Sequence, residues 1–582
     1  MADSEQAHAK NRINILLVGF FICLLTLVLR SAYLQILKHS EYSRQATEEH
    51  NRKYEIPAKR GEIYCLDGIS GQTKTPLTLN QSYKLLYADP SLILNKSETA
   101  SRLTGITGES AQKYLELLMA PGTYVVLNSK ISLDMANKIS KLNLIGIGLT
   151  DKNYRAYPEG NLASQVLGFV NSDDKGQYGV EGYMDKELSG TNGLLSAKTD
   201  TRGIPIVTAD NIAKDPIDGT SLVLTIDRNI QAQVEKYLAE GVKAVSAKSG
   251  SVVIMDPNTG AIKAIANFPT YDPANYSVIK DYSVFSNSVI SNLFEPGSSF
   301  KVFTMAAGLD LGKVKPATTY NDPGVLQIDG YTIRNAEGKR WGVQTMIDVI
   351  QKSLNTGAIF VLKSLGGDLT NINITGKQYL YDYLINHFGF GSKTGIEQTG
   401  EASGVVNKPS SSNVNYANMT FGQGVSATMI QMVTAVSAIA NKGTIYKPYL
   451  IDQKILADNS IVKTDSKVVR TNIISTQTAT DLTNMMIQVV EHGSGWMTKI
   501  KGYKIAGKTG TAQVPKSNSP GYEAAKNIGS FIGFAPAEKP KFIMMVRLDE
   551  PKTNGFAEST TVPIFAHIAE WLLKYYEIPP SG

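Results

Sequence analysis

A serine and a lysine three residues apart can act as nucleophile and base. The lysine must lose its proton first, which burial or a neighbouring cation brings about by lowering the amine pKa. At the start of a helix such a pair shares one face, and the helix N-terminus favours negative charge developing on the serine. The 582-residue chain holds five such pairs: Ser110/Lys113, Ser172/Lys175, Ser277/Lys280, Ser298/Lys301 and Ser460/Lys463. Four lie in polar turns or at ambiguous strand ends. Ser298 follows the turn signal Glu295-Pro296-Gly297, and Lys301 opens the apolar run Val302, Phe303, Met305, Ala306, Ala307, Leu309. A buried helix therefore begins at Ser298.

Two further elements suit acyl transfer. Ser353-Leu354-Asn355 places a hydroxyl and a carboxamide where one relays a proton and the other holds a substrate amide. A helix cap is the plainer reading, and Ser411-Ser412-Asn413 repeats the pattern. Lys-Thr-Gly occurs twice. Lys393-Thr394-Gly395 sits in a glycine-broken loop and reads as structural. Lys508-Thr509-Gly510 continues an alternating stretch into Thr511-Ala512-Gln513, a strand on which the glycine lets a substrate backbone lie alongside. Lys508, Thr509 and Thr511 there can bind a carboxylate. None of the six histidines falls in a Ser- or Cys-based motif, so a Ser-His-Asp hydrolase is unsupported. No HExxH, GxGxxG or Walker A sequence appears, which argues against zinc protease, dinucleotide and nucleotide chemistry.

These residues need elements to hold them. Ser221–Ile226 alternates as a strand, and Asn229 to about Lys243 follows with helical spacing. Ser251–Met255 and Ala261–Ala266 flank a Gly-containing loop as a hairpin. Ile528–Phe534 and Phe542–Leu548 read as strands, and Val562–Tyr576 is a closing helix. The C-terminal part is expected to be an antiparallel sheet with helices on it. Upstream, Ala111–Met119 and Leu133–Leu142 have helical spacing within a mixed α/β stretch rich in turns. Ile13–Leu29 is 17 residues without a charge, and apolar character resumes to Leu37. As a helix Ile13–Leu37 spans about 37 Å, enough to cross a bilayer. The expected layout is a tail (1–12), a transmembrane anchor (13–37), a pedestal (38–215) and a catalytic domain (216–582). The two cysteines, Cys23 and Cys65, offer no metal spacing and no internal disulfide. Net charge is +6 but spread along the chain, which gives no nucleic-acid footprint.

S-x-x-K, S-x-N and K-T-G occurring in this order form a known signature of serine acyltransferases that react with penicillin. On Glu295–Lys301, Lys508–Gln513 and Phe421-Gly422-Gln423-Gly424 the chain resembles the class B penicillin-binding proteins. Arg60-Gly61-Glu62-Ile63 and Gly179-Val180-Glu181-Gly182 resemble their non-catalytic pedestal, as does Arg155 to Gly160. The resemblance implies an α+β fold: a serine β-lactamase/transpeptidase-like domain after an elongated pedestal and one membrane helix. It implies a peptidoglycan D,D-transpeptidase that cross-links stems ending D-Ala-D-Ala. Ser298 is then nucleophile and Lys301 base, and Ser353 relays the proton. Asn355 holds the substrate amide and Lys301, and Lys508, Thr509, Gly510 and Thr511 bind the terminal carboxylate. The backbone N–H groups of Ser298 and Thr511 form the oxyanion hole, and Arg60, Gly61 and Glu181 are structural. No metal or organic cofactor is implied. Partners implied are peptidoglycan stems, β-lactams as covalent inhibitors, a SEDS-type glycosyltransferase and other division proteins. The setting is the cytoplasmic membrane, with the bulk of the chain outside. The pedestal resembles division-type members, with elongation- or sporulation-type members and a silent division scaffold as alternatives. After Tyr64 the family's usual Asp-Arg-x-Gly is replaced by Cys65-Leu66-Asp67-Gly68.

Overall fold

The computed structural model describes residues 2–69, 71, 73–198, 212–515, 522–553 and 556–580. An α-helix, Ala2–Ala32, runs into a wider turn of helix, Tyr33–Leu37. Within it Asn11–Leu37 is long and apolar enough to cross a membrane, with mean hydropathy 2.4. This extends the expected span by two residues at its start.

The chain divides into two compact units, Met1–Lys59 with Gly190–Asp218, and Arg60–Ser189 with Gly219–Gly582. In the first, strands Asn51–Ile56, Gly193–Lys198 and Ile212–Lys214 form an antiparallel sheet. The second unit holds two large sheets. One brings Ile63–Asp67, Thr73–Ala88, Val125–Ile131 and Ile147–Ala156 together with Ser221–Asp227, Ile451–Ile455 and Ile461–Lys463. Ser221–Asp227, beyond the expected division at 215/216, pairs in parallel with Ile63–Asp67 before it. Cys65 lies in that strand, fully buried; burial and the nearby Glu159 push its thiol up to about 12.

The other sheet carries the chemistry. Its strands are β1 (Ser249–Met255), β2 (Ile262–Phe268), β3 (Ala506–Pro515), β4 (Tyr522–Ala535) and β5 (Phe542–Asp549), in the order β2-β1-β5-β4-β3, all antiparallel. Side chains alternate between faces along a strand. Val252, Ile254, Met544 and Val546 therefore pack against helices Arg228–Ala244 and Ala557–Tyr575. Val253, Met255, Ile543 and Met545 face the helical layer that includes Lys301–Asp310. Both faces are covered, so β5 is apolar without alternation from Phe542 to Val546. β3 is an edge strand, with one row of backbone groups left for a partner.

The pedestal tracts meet in one ion network. Glu181, fully buried, accepts from Arg60 Nε (2.8 Å) and Nη2 (2.6 Å) through one oxygen and from Arg155 Nε (2.7 Å) through the other. Arg60 Nη1 also donates to Asp185 at 2.7 Å. Gly61 is required by crowding, since a Cβ there would lie 2.0 Å from the Thr220 carbonyl oxygen.

Candidate active site

Gly297 adopts φ +57° and opens a 3₁₀ turn, Gly297–Phe300, that becomes the α-helix Lys301–Asp310. In 3₁₀ geometry residues three apart eclipse each other, which sets Ser298 and Lys301 side by side. Lys301 Nζ lies 2.8 Å from Ser298 Oγ. The helix is anchored by its apolar residues: Phe303 packs edge-on against Phe388 and Phe390. The turn is closed by Ser299 Oγ, which donates to the Pro296 carbonyl at 2.8 Å.

Ser353 follows the short helix Met346–Gln351 and has φ +59°. A left-handed conformation costs a non-glycine residue about 1–2 kcal/mol and tends to be kept where function needs it. Here it turns both the carbonyl oxygen (2.7 Å) and Oγ (3.1 Å) of Ser353 toward Lys301 Nζ. Lys508 Nζ, from β3, lies 3.0 Å from the same Oγ. One hydroxyl thus bridges two lysines, with the nucleophile beside one of them.

Both lysines are buried. Loss of solvation, and then the charge of Lys508, hold Lys301 well below the ordinary lysine value. Burial lowers Lys508 to about 7, against the opposing pull of Glu558. Two adjacent buried amines resist being charged together. The arrangement therefore favours a neutral base at Lys301 beside a cation at Lys508.

Gly510 fits because β3 runs against the Ser298 turn. A Cβ there would meet Ser530 Oγ at 2.5 Å and the Pro296 carbonyl oxygen at 2.6 Å. Thr509 and Thr511 flank it. Thr509 Oγ1 lies 2.7 Å from Ser494 Oγ, and Thr511 Oγ1 accepts from Ala557 N at 3.4 Å. Ser298, Ser353, Asn355, Thr509 and Thr511 line one cavity of about 450 Å³, together with Trp341, Ser494 and Glu558.

Asn355 departs from expectation in one respect. It lines the cavity, but its Nδ2 donates to the Arg334 carbonyl oxygen at 2.8 Å. The partners of Lys301 Nζ are Ser298 and Ser353 instead. Sequence reasoning also missed the support behind this loop. Buried Asp322 accepts from Asn335 Nδ2 (3.0 Å), Trp341 N (2.9 Å) and Thr356 Oγ1 (2.5 Å), tying the cavity wall to the helix that Asn355 begins. Ser494 was likewise missed. Among the rejected motif copies, Ser110 and Ser412 are helix caps, and Thr394 and Gly395 bind Glu401 in a loop.

The penicillin binding protein transpeptidase domain family matches residues 250–570, and the penicillin-binding protein dimerisation domain family matches residues 55–224. The chain is 32% identical to Stage V sporulation protein D of Bacillus subtilis (strain 168), covering 100% of this chain and 88% of that protein. It is 29% identical to the peptidoglycan D,D-transpeptidase FtsI of Escherichia coli (strain K12), covering 97% and 92%. Penicillin binding protein 3 of Mycobacterium tuberculosis, complexed with aztreonam, superposes with TM-score 0.69 at 25% identity over 91% of this chain and 98% of that one. The pedestal tracts, the Ser-Lys-Ser-Lys cluster and these matches agree: the chain belongs to the class B penicillin-binding proteins, the peptidoglycan D,D-transpeptidases.

Proposed function

We propose that the chain cross-links peptidoglycan through an acyl-enzyme on Ser298. The observation that carries this reading is the Ser353 hydroxyl held between Lys301 and Lys508, with Ser298 Oγ 2.8 Å from Lys301 Nζ. Neutral Lys301 takes the Ser298 proton as Oγ attacks the carbonyl carbon of the penultimate D-Ala. Oxyanion stabilisation is assigned to the backbone N–H groups of Ser298 and Thr511, each such donor being worth about 3 kcal/mol. The proton passes from Lys301 through Ser353 to the nitrogen of the terminal D-Ala, and the C–N bond breaks. Lys508, with the Thr509 and Thr511 hydroxyls, holds the terminal carboxylate in place until then. An amine of a neighbouring stem next attacks the ester, gives up its proton by the reverse relay and frees Ser298.

The helix Asn11–Leu37 supports a single-pass anchor with residues 38–582 outside the cytoplasmic membrane, organised as a pedestal (38–215) and a transpeptidase domain (216–582). Work beside a SEDS-type polymerase in septal wall synthesis fits that layout. The similarity to a protein named for sporulation keeps a sporulation septum as the second setting. Incubation with a fluorescent penicillin tests the chemistry: covalent label is expected on the parent and none on Ser298→Ala. Label that survives the substitution overturns the assignment.

A further inference from the structure

Among the described residues that line the catalytic cavity, Glu558 is the only carboxylate. It stands in the first turn of the closing helix Ala557–Tyr575, with its side chain exposed. The start of that helix is held against β3, because Ala557 N donates to Thr511 Oγ1 at 3.4 Å. Glu558 thus follows directly on a contact to the strand that carries the carboxylate-binding hydroxyls. Its charge also reaches Lys508, whose pKa it pulls upward against burial. The remaining charged groups of the cavity are amines. Lys339 and Lys352 line it, and Lys352 is already paired with Asp348 at 2.9 Å. Lys301 and Lys508 lie behind the Ser353 hydroxyl.

We propose that Glu558 selects the acceptor, its carboxylate receiving the primary ammonium of the neighbouring stem. The inference rests on the transpeptidase reading, which supplies both the Ser298 ester and the incoming amine. Aminolysis of that ester is the acylation step run backwards with a different amine, so the new nitrogen enters where the D-Ala nitrogen left. That place is the Lys508 end of the cavity, within reach of Glu558. An alkylamine is protonated at neutral pH, its pKa being about 10.4. It therefore arrives as a cation in a cavity rich in lysine, where like charge repels it and Glu558 supplies the opposite sign. The ammonium gives one proton to solvent, and the neutral amine attacks the ester carbonyl carbon. Its second proton passes through Ser353 to Lys301 and ends on Ser298 Oγ as the C–O bond breaks and the amide remains. Glu558 raises the local concentration of the amine and takes no part in the bond changes.

The test offers the full-length solubilised protein a D-Ala thioester donor with one of two acceptors. One is a primary alkylamine; the other is its aminooxy analogue of the same length, uncharged at neutral pH. Mass spectrometry gives the ratio of transfer product to hydrolysed donor, and its slope against acceptor concentration is compared between the two. This ratio counts only molecules that have been acylated, so slower acylation or poorer folding of a variant does not alter it. In Glu558→Gln the preference for the ammonium acceptor should fall by about 3–10-fold, the range for an ion pair in a half-open cavity. Glu558→Asp should keep part of it, and in the parent added salt should erode it. Slopes that fall together for both acceptors would mean that Glu558 acts through Lys508 alone, and would overturn the inference. So would a preference that neither salt nor the substitution changes. Either result leaves the transpeptidase reading intact, whereas a parent that forms no acyl-enzyme counts against that reading itself.

Discussion

Gly510→Ala probes the contact on which the site geometry depends. The new methyl group would lie 2.6 Å from the Pro296 carbonyl oxygen and 2.5 Å from Ser530 Oγ. Ser530 can change rotamer, but the Pro296 carbonyl is backbone in the turn that carries Ser298. Real Cβ contacts do not fall below 3.0 Å, so the strand and the turn must part by at least the difference. Forced overpacking of this kind costs about 1–3 kcal/mol in a buried site. A misplacement of about 1 Å in a catalytic array costs on the order of 100-fold, so a shift of about half that should slow acylation by roughly 10-fold. The assay is the second-order rate of labelling by a fluorescent penicillin, run beside thermal unfolding of the same preparation. The expected result is a lower Tm and a slower rate per folded molecule. Parental rate and parental Tm together would show that β3 does not bear on the Ser298 turn as described.

Two other perturbations follow from the same structure. Acylation should rise with pH as Lys301 loses its proton, and in Lys508→Met that limb should move to higher pH. The reason is that removing a neighbouring cation lets the pKa of Lys301 climb back; a pH–rate profile whose acid limb stays in place would count against the coupling. Glu181→Gln leaves Arg155 without its carboxylate and Arg60 with Asp185 alone at a fully buried position, and breaking such a pair typically costs about 3–5 kcal/mol. Thermal unfolding should show a large loss of stability, and an unchanged Tm would reject a structural role for the network.

The site was legible in the sequence where a short motif fixes local geometry. Ser298 and Lys301 are three apart in one turn, and Lys508 and Gly510, two apart, share one face of a strand. The fold of the catalytic sheet was legible where apolar alternation is strong: Phe542–Leu548 and Ser251–Met255 were found to within two residues of the observed strands. The rest depends on pairing across long separations. The partner of Asn355 is a carbonyl on a hairpin 21 residues upstream, and the Asp322 network joins residues 34 apart. Neither has a motif. Cys65–Asp67 broke the family's usual text, yet it forms part of a paired strand because backbone bonds and the burial of Cys65 place few demands on side-chain identity. Arg155 stood out only as part of a resemblance, and its meeting with Arg60 at Glu181 needs three segments folded together.

The central claim is that Ser298 carries the acyl group in D,D-transpeptidation. Its most direct test is to incubate the full-length solubilised protein with a D-Ala thioester stem analogue, quench with acid, digest and locate the adduct by tandem mass spectrometry. The account predicts a single acyl adduct on the peptide containing Ser298, absent in Lys301→Ala and discharged when an amine acceptor is added. An adduct on any other residue, or turnover of the donor with Ser298 replaced, would contradict it.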